Sequence, residues 1–332
     1  MHSLMQSSQH SPRPQSNDVI RTVALMGTFV TIHVVGHVVG HVEGHVAGHE
    51  VGVDTTERER AVDRALDWFH KIEECCTRFE ASSEAMRLAT QVGVPVRVST
   101  ILFEAVQFAL AVAEESEGAF DPTVGYAMES LGFNREYRTG QTIRTPLDST
   151  EPVSYRDVCL DAERQTITLL RPLILDLGAV AKGLAVDLAA RELQSFNNFA
   201  INAGGDLYLG GCNPTGEPWS IGIRHPRKDG ELIDSIRVSN RAVCTSGDYE
   251  KRAAAGEQGH HILDPRTGSS ANAVASVTVI APTAMLADAL ATAAFVLGPA
   301  DGIRLFHRLG VDGLIISPTL ELYATRGFRE YH

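Results

Sequence analysis

From Thr55 to Phe79 the apolar positions Val62, Leu66, Phe69, Ile72, Cys76 and Phe79 recur at steps of three or four. That period follows the 3.6-residue turn of a helix and lines one apolar stripe toward a core. Thr55 or Thr56 stands where an N-cap belongs. Ser99 to Ser116, "STILFEAVQFALAVAEES", reads as a second helix, apolar enough to be buried. Further helices are expected from Gly178 through "AVAKGLAVDLAARELQ", over Thr283 to Gly298, and near Gly302 to Leu309. Elsewhere the pattern is that of strands. Thr22 to Val35, "TVALMGTFVTIHVV", is rich in β-branched residues and reads as one strand. "VCLDAE", "QTITLLRP" and "LILDLG" read as short strands, and strands alternate with turns through Cys244. "ASVTVIAP" is another strand, and "GLIIS" with "LELYAT" forms a closing hairpin. Strands and helices mix without a βαβ rhythm. The expectation is therefore an α+β fold, a single compact domain of mixed sheets with flanking helices.

One tract fits neither period. Between the first strand and the first helix, "HVVGHVVGHVEGHVAGHE" places His33, His37, His41, His45 and His49 at every fourth position. In a helix that spacing would line imidazoles on one face, as zinc ligands often are. Gly36, Gly40, Gly44 and Gly48 recur in step, however, and each costs a helix about 1 kcal/mol. A Gly-turned hairpin or expanded loop is the reading, with adventitious metal binding as the alternative. The domain plan is thus a disordered polar leader over 1–20 and one domain over 21–332, with the His/Gly repeat as an insertion at 36–52.

Composition narrows the class. The chain has 332 residues, 44% hydrophobic and 21% charged, enough for a sizeable core. A net charge of -12 would repel polyanions and argues against a nucleic-acid binder. Five cysteines, Cys75, Cys76, Cys159, Cys212 and Cys244, are odd in number and form no C-x-x-C, which suits a reducing compartment. The opening "MHSLMQSSQHSPRPQSND" has no apolar signal core, and no run is long enough to span a membrane. The expected location is cytoplasmic.

Candidate chemistry gathers in turns and at helix starts. "LDLGAVAKG" (Leu175 to Gly183) joins a strand to a helix through glycine. Its free N–H groups and Lys182 would suit phosphate, and Asp176 a ligand donor or cation; a plain strand–turn–helix with a solvated lysine is the alternative. In "LADALATAAFVLG" Asp288 and Thr292 stand one helical turn apart, oxygen donors for a hard cation such as Mg2+. The alternative there is a carboxylate near the helix dipole and a threonine bonded to its own backbone. "GHHILDPRTG", "AVCTSGDYEKR" and "GAFDPTVG" are dense turns that could line a site or act only as turn formers and N-caps.

Taken together these motifs carry more. "MGTFVTI", "TRFEASSE", "GAFDPTVG", "LDLGAVAKG", "INAGGDLYLGG", "TSGDYEKR", "HHILDPRTG" and "SVTVIAP" followed by "ADALATAAFVLG" run in that order from Met26 to Gly298. In wording and order they resemble the FAD:protein FMN transferase family, the ApbE flavin transferases. The resemblance implies Mg2+ held by Asp288, Thr292 and the backbone carbonyl of Ala179. It implies FAD contacted by Met26 and by Phe79, where the family often has tyrosine. The Ala119–Phe120–Asp121 turn, Asp176, Lys182 and the Ile262 region would complete the pocket. His261 matches the family's histidine before I-x-D-P and is the candidate acid/base, with Asp288 competing for the role of base. Phe79 loses a hydroxyl donor relative to tyrosine, Ala89 replaces a common asparagine, and the histidine repeat is foreign to the family pattern.

The implied reaction moves FMN from FAD to a serine or threonine hydroxyl of an acceptor flavoprotein and releases AMP. FAD is substrate and Mg2+ the cofactor. An FAD pyrophosphatase using water as nucleophile, giving FMN and AMP, would use the same residues. A non-catalytic flavin-binding or metal-storing protein is the other alternative.

Overall fold

The computed structural model describes residues 17–36, 55–146, 151–250 and 259–332. Most of the expected leader and of the His/Gly repeat lies outside them. The described elements begin with β1 (Val19–Leu25), β2 (Thr28–Val34), α1 (Thr55–Cys76), α2 (Glu84–Ala89), β3 (Val96–Arg97), α3 (Thr100–Glu115) and α4 (Gly125–Ser130). β4 (Val158–Asp161), β5 (Thr166–Leu169), α5 (Gly178–Leu193), β6 (Phe199–Ala203), β7 (Asp206–Gly210), β8 (Trp219–Arg224), β9 (Leu232–Val238) and β10 (Arg241–Gly247) follow. The chain continues with β11 (Leu263–Asp264), β12 (Ser269–Ser270), β13 (Ser276–Ala281), α6 (Ala284–Leu297), α7 (Pro299–Leu309), β14 (Asp312–Ile316) and β15 (Leu322–Ala324).

An eight-stranded sheet in the order β1-β2-β6-β7-β10-β13-β14-β15 forms the frame, antiparallel at every pairing. The helices lie on one face and build the main core. Phe69 and Ile72 of α1, Leu102 of α3, Leu184 of α5 and Phe295 of α6 meet Ile32, Val277 and Val279 of the sheet there. The antiparallel pair β8–β9 and the C-terminal Phe328 supply a second core with Leu209, Val243, Ile280 and Leu314. β13 is buried at all six positions because it has protein on both faces; its polar members Ser276 and Thr278 are buried with the rest, and Thr278 Oγ1 meets Thr245 Oγ1 of β10 at 2.9 Å.

The single strand expected over Thr22–Val35 is two strands. β1 and β2 form a hairpin closed between Leu25 and Thr28. Its two turn residues, Met26 at φ 51° and Gly27 at φ 72°, are both left-handed, the arrangement of a two-residue I′ turn. The apolar Met26 hid the turn in the sequence. His33, the first histidine of the tract, belongs to β2, where Nε2 is 3.0 Å from Asp18 and the ring meets Trp219 edge-on.

"LILDLG" is buried but is not a strand. Its backbone bonds instead to the loop before α4, with Asp176 N donating to Pro122 O at 2.7 Å and Gly125 N to Ile174 O at 3.2 Å. An apolar run signals burial, and only pairing makes it a strand. Thr55 and Thr56 are helical residues of α1, so neither is the flanking cap that the pattern suggested. Ser99 does cap α3, accepting from Leu102 N at 3.2 Å. All five cysteines are free. Among the described residues no helix is long and apolar enough to cross a membrane.

The crossing of α5 and α6 has the greatest bearing on the site. At Gly183 the two backbones come so close that an added Cβ would sit 2.5 Å from Met285 Cα and 2.6 Å from Met285 N. In an exposed helix, replacing glycine with alanine gains about 1 kcal/mol. Here the methyl must push α6 away, and overpacking of this kind costs about 1–3 kcal/mol. Gly183→Ala should therefore lower the unfolding free energy in urea; an increase would show that the crossing yields.

Candidate active site

The side chains that face α5 and the sheet from α6 fall at Asp288, Thr292 and Phe295, spaced by one helical turn each. Each meets a different sequence motif. The Asp288 carboxylate lies 3.1 Å from Lys182 Nζ, and the same ammonium hydrogen-bonds Asp206 at the start of β7. Thr292 Oγ1 is 3.4 Å from Ser246 Oγ of β10. Phe295 receives the edge of the His260 ring at a centroid distance of 5.4 Å. Four segments far apart in sequence thus converge on one helix face.

Burial dominates the electrostatics. Asp288 is 5% exposed and Asp206 3% exposed. Loss of water pushes the Asp288 carboxyl up to about 7; the Asp206 charge adds to this and Lys182 opposes it. Burial works against the charge on Lys182, but the two carboxylates outweigh it and hold its pKa well above the ordinary lysine value. The lysine expected to face phosphate is therefore paired with carboxylates. A buried carboxylate that ionises only near neutrality, next to the Thr292 and Ser246 hydroxyls, is an all-oxygen donor set suited to a hard divalent cation. Ala179, whose carbonyl is the third expected ligand, lies in the first turn of α5, one turn before Lys182.

A second arm lies at the start of α5. Arg78 is 5% exposed. Its Nε donates to Asp176 at 2.7 Å and its Nη2 to Phe133 O at 2.5 Å, and the guanidinium stacks 4.2 Å from the Phe79 ring centre. Asp176 in turn accepts from Gly178 N at 2.9 Å, which fixes the first turn of α5. Arg78 and Asp176 tie "TRFEASSE" to "LDLGAVAKG", and the bond to Pro122 O adds "GAFDPTVG". Met26, half-buried, packs against the main core, and its neighbour Gly27 faces the ring of Tyr137.

Ala119 and Phe120 are buried in the main core. Asp121 is occupied locally: Oδ1 accepts from Thr123 N at 2.9 Å and Oγ1 at 2.7 Å, and Oδ2 accepts from Tyr155 N at 3.0 Å. Burial nonetheless raises its pKa above the usual carboxylate value. The turn is held rigid by these bonds. Ile262 is likewise buried, and its N–H donates to His260 Nδ1 at 3.3 Å. His260 Nε2 is 2.6 Å from Ala271 O, so the neutral ring donates at Nε2 and accepts at Nδ1. His260 serves the structure, and His261 is the half-buried member of the pair.

The ApbE family model matches residues 26–315. The chain belongs to the ApbE family. It is 32% identical over 249 residues to a FAD:protein FMN transferase of Haemophilus influenzae, covering 71% of this chain and 72% of that relative. A FAD:protein FMN transferase of Vibrio cholerae is 32% identical over 290 residues, covering 84% and 83%. The solved ApbE protein of Thermotoga maritima superposes with a TM-score of 0.79 at 30% identity, covering 95% of this chain and 99% of that one. The flavin transferase ApbE of Vibrio cholerae gives a TM-score of 0.76 at 28% identity, covering 96% and 100%.

Within this ApbE chain, three residues join the candidate site that sequence reasoning did not single out: Arg78, Asp206 and Ser246. Asp206 had a signal, a lone carboxylate after the Gly204–Gly205 turn that enters a strand. Arg78 stood beside Phe79 and was overlooked because a surface arginine is the ordinary case.

Two pH dependences follow. Burial lowers the His260 pKa despite the Ala271 carbonyl and Asp248. The unfolded chain therefore takes up a proton below about pH 6.5 that the folded state refuses, and stability falls as pH drops through that value. Because the raised Asp288 and Asp187 carboxyls titrate with the opposite sign over the same range, the check is a difference: from pH 8 to 5.5 the melting temperature of the wild type should drop relative to that of His260→Gln. Asp288 has the opposite sign. Its folded pKa near 7 lies above the unfolded value, so the folded state holds the extra proton and stability declines as pH rises from about 4 to 7. Relative to wild type, Asp288→Asn should gain stability across that window; a flat difference would place the carboxyl in ordinary water.

Proposed function

We propose that the protein is a Mg2+-dependent FAD:protein FMN transferase that attaches FMN to a serine or threonine of an acceptor flavoprotein. The observation that carries this reading is the convergence on one face of α6. There a buried carboxylate, a lysine and two hydroxyls adjoin the helix start that Asp176 and Arg78 hold in place. The acceptor hydroxyl oxygen attacks the FMN-side phosphorus of FAD. The bond from that phosphorus to the bridging oxygen breaks, AMP leaves with that oxygen, and the hydroxyl proton passes to a base. A phosphodiester joins FMN to the acceptor.

Asp288, Thr292 and the Ala179 carbonyl are the groups that would hold Mg2+, which when bound neutralises pyrophosphate charge. Met26 and Phe79 offer apolar surface for the flavin, beside the rigid turn of Ala119, Phe120 and Asp121 and the Ile262 segment. The first turn of α5 presents the positive end of a helix to phosphate. Lys182 keeps Asp288 and Asp206 from repelling each other. Next to a bound cation Asp288 stays ionised and acts as a ligand, which leaves His261 as the proton acceptor. Five free cysteines suit work in the cytoplasm.

The test is to incubate the protein with FAD, Mg2+ and an extract of its own host, and to look for a flavin-fluorescent protein band on a denaturing gel. Release of FMN and AMP without a band would point to a pyrophosphatase. Bound FAD without turnover would leave a binding protein. His261→Ala should cut the rate about 10²–10⁴-fold, as loss of a proton-transfer group does. FAD affinity should stay within about tenfold. A rate near wild type would move the base to Asp288.

A further inference from the structure

Asp187 lies on α5, five residues beyond Lys182, and spends both carboxylate oxygens on another helix. Oδ1 accepts from Ala284 N at 2.7 Å and Oδ2 from Met285 N at 3.0 Å. These are two of the N–H groups that a helix start leaves without partners. The ordinary solution is a side chain just before the helix, and α6 has one: Thr283 Oγ1 accepts from Leu286 N at 3.4 Å. The other two donors are satisfied from 97 and 98 residues away. The arrangement has a cost, since burial pushes the Asp187 carboxyl up to about 6 against the pull of the two N–H groups. A local cap would spare that cost, but it would not connect the two helices.

The connection is geometrically specific. Gly183, one turn before Asp187, sets the closest approach of α5 to α6 at Met285. The body of α6 is held by packing against α5, β10, β13 and α7. Two bonds from one planar carboxylate to successive N–H groups add a directional tie between its first turn and α5. On the same rigid helices Lys182 immediately precedes Gly183, and Asp288 follows Met285 by three residues. Any shift at the start of α6 therefore passes directly to the Asp288–Lys182 contact and, one turn on, to Thr292.

We propose that Asp187 is a positioning residue for the transfer site: it fixes α6 against α5 so that Asp288 and Thr292 stand in working register with Lys182. This rests on the function proposed above. A displacement of about 1 Å in a reacting constellation can cost about 10²-fold in rate, so a residue that touches no substrate can control turnover.

The test compares Asp187→Asn with Thr283→Ala in the full chain. Both remove an acceptor from the same helix start, and both should lower the melting temperature. Only Asp187→Asn loosens the link to α5. With FAD, Mg2+ and host extract as the acceptor source, well below either melting temperature, Asp187→Asn should lower kcat for AMP release at least tenfold. Its KM for FAD should stay within about threefold, and Thr283→Ala should leave both unchanged. Equal losses in the two variants, or a kcat for Asp187→Asn within twofold of wild type, would overturn the proposal. A wild type that releases no AMP would sink the proposed function instead. The crystal structure of Asp187→Asn then decides the positioning role: loss of the Lys182–Asp288 contact upholds it, and an unmoved α6 refutes it.

Discussion

Lys182 holds its ammonium between the carboxylates of Asp206 and Asp288, and the three come from α5, β7 and α6. Two carboxylates at 3% and 5% exposure could not both ionise in each other's company without a cation between them. The lysine makes the buried charge tolerable. In doing so it fixes the central strand β7, the long helix behind it and the helix that bears Thr292 in one geometry. Removing the lysine would leave two buried carboxylates facing each other with no cation between them. The rest of the fold is arranged to keep this contact: Gly183 lets the helices approach, and the antiparallel sheet presents β7 and β10 to them side by side.

The first turn of α5 joins this charged cluster to a second set of contacts. Arg78 and Asp176 bring the end of α1 to the start of α5, and the backbone bond to Pro122 adds the turn before α4. Phe79 lies under the Arg78 guanidinium, an arrangement that holds the ring in place without the hydroxyl of a tyrosine. Rigidity here has a plain origin. Asp121 and Asp176 spend their oxygens on nearby N–H groups, so their loops cannot move without losing charge-assisted hydrogen bonds. Such loops can present a pocket of fixed shape.

Much of the fold was legible along the chain. The 3.6 period located α1, α3, α5 and α6 to within a few residues, because each buries one continuous stripe or is buried all round. The pattern failed at Met26–Gly27 and at Leu173–Leu177. In the first case an apolar residue occupies a left-handed turn position, and composition does not reveal φ. In the second an apolar run is buried by a loop rather than by a neighbouring strand. The motifs named most of the residues that meet on α6 and at the start of α5, and the shared face of Asp288 and Thr292 was readable because one helical turn fixes their spacing.

By itself, then, the sequence determined which segments are helix or strand, which motifs carry polar groups, and the family to which their order belongs. These are local properties, set by neighbours a few positions apart. The tertiary structure alone decided that Lys182 faces Asp206 and Asp288, that Asp187 caps a helix 97 positions later, and that of two adjacent histidines His260 is the one locked into the core. Those pairings depend on which elements pack together. A carboxylate or an imidazole has the same appearance in the chain whether water, a helix end or an ammonium is to satisfy it, and only the packed structure removes the water and makes the choice.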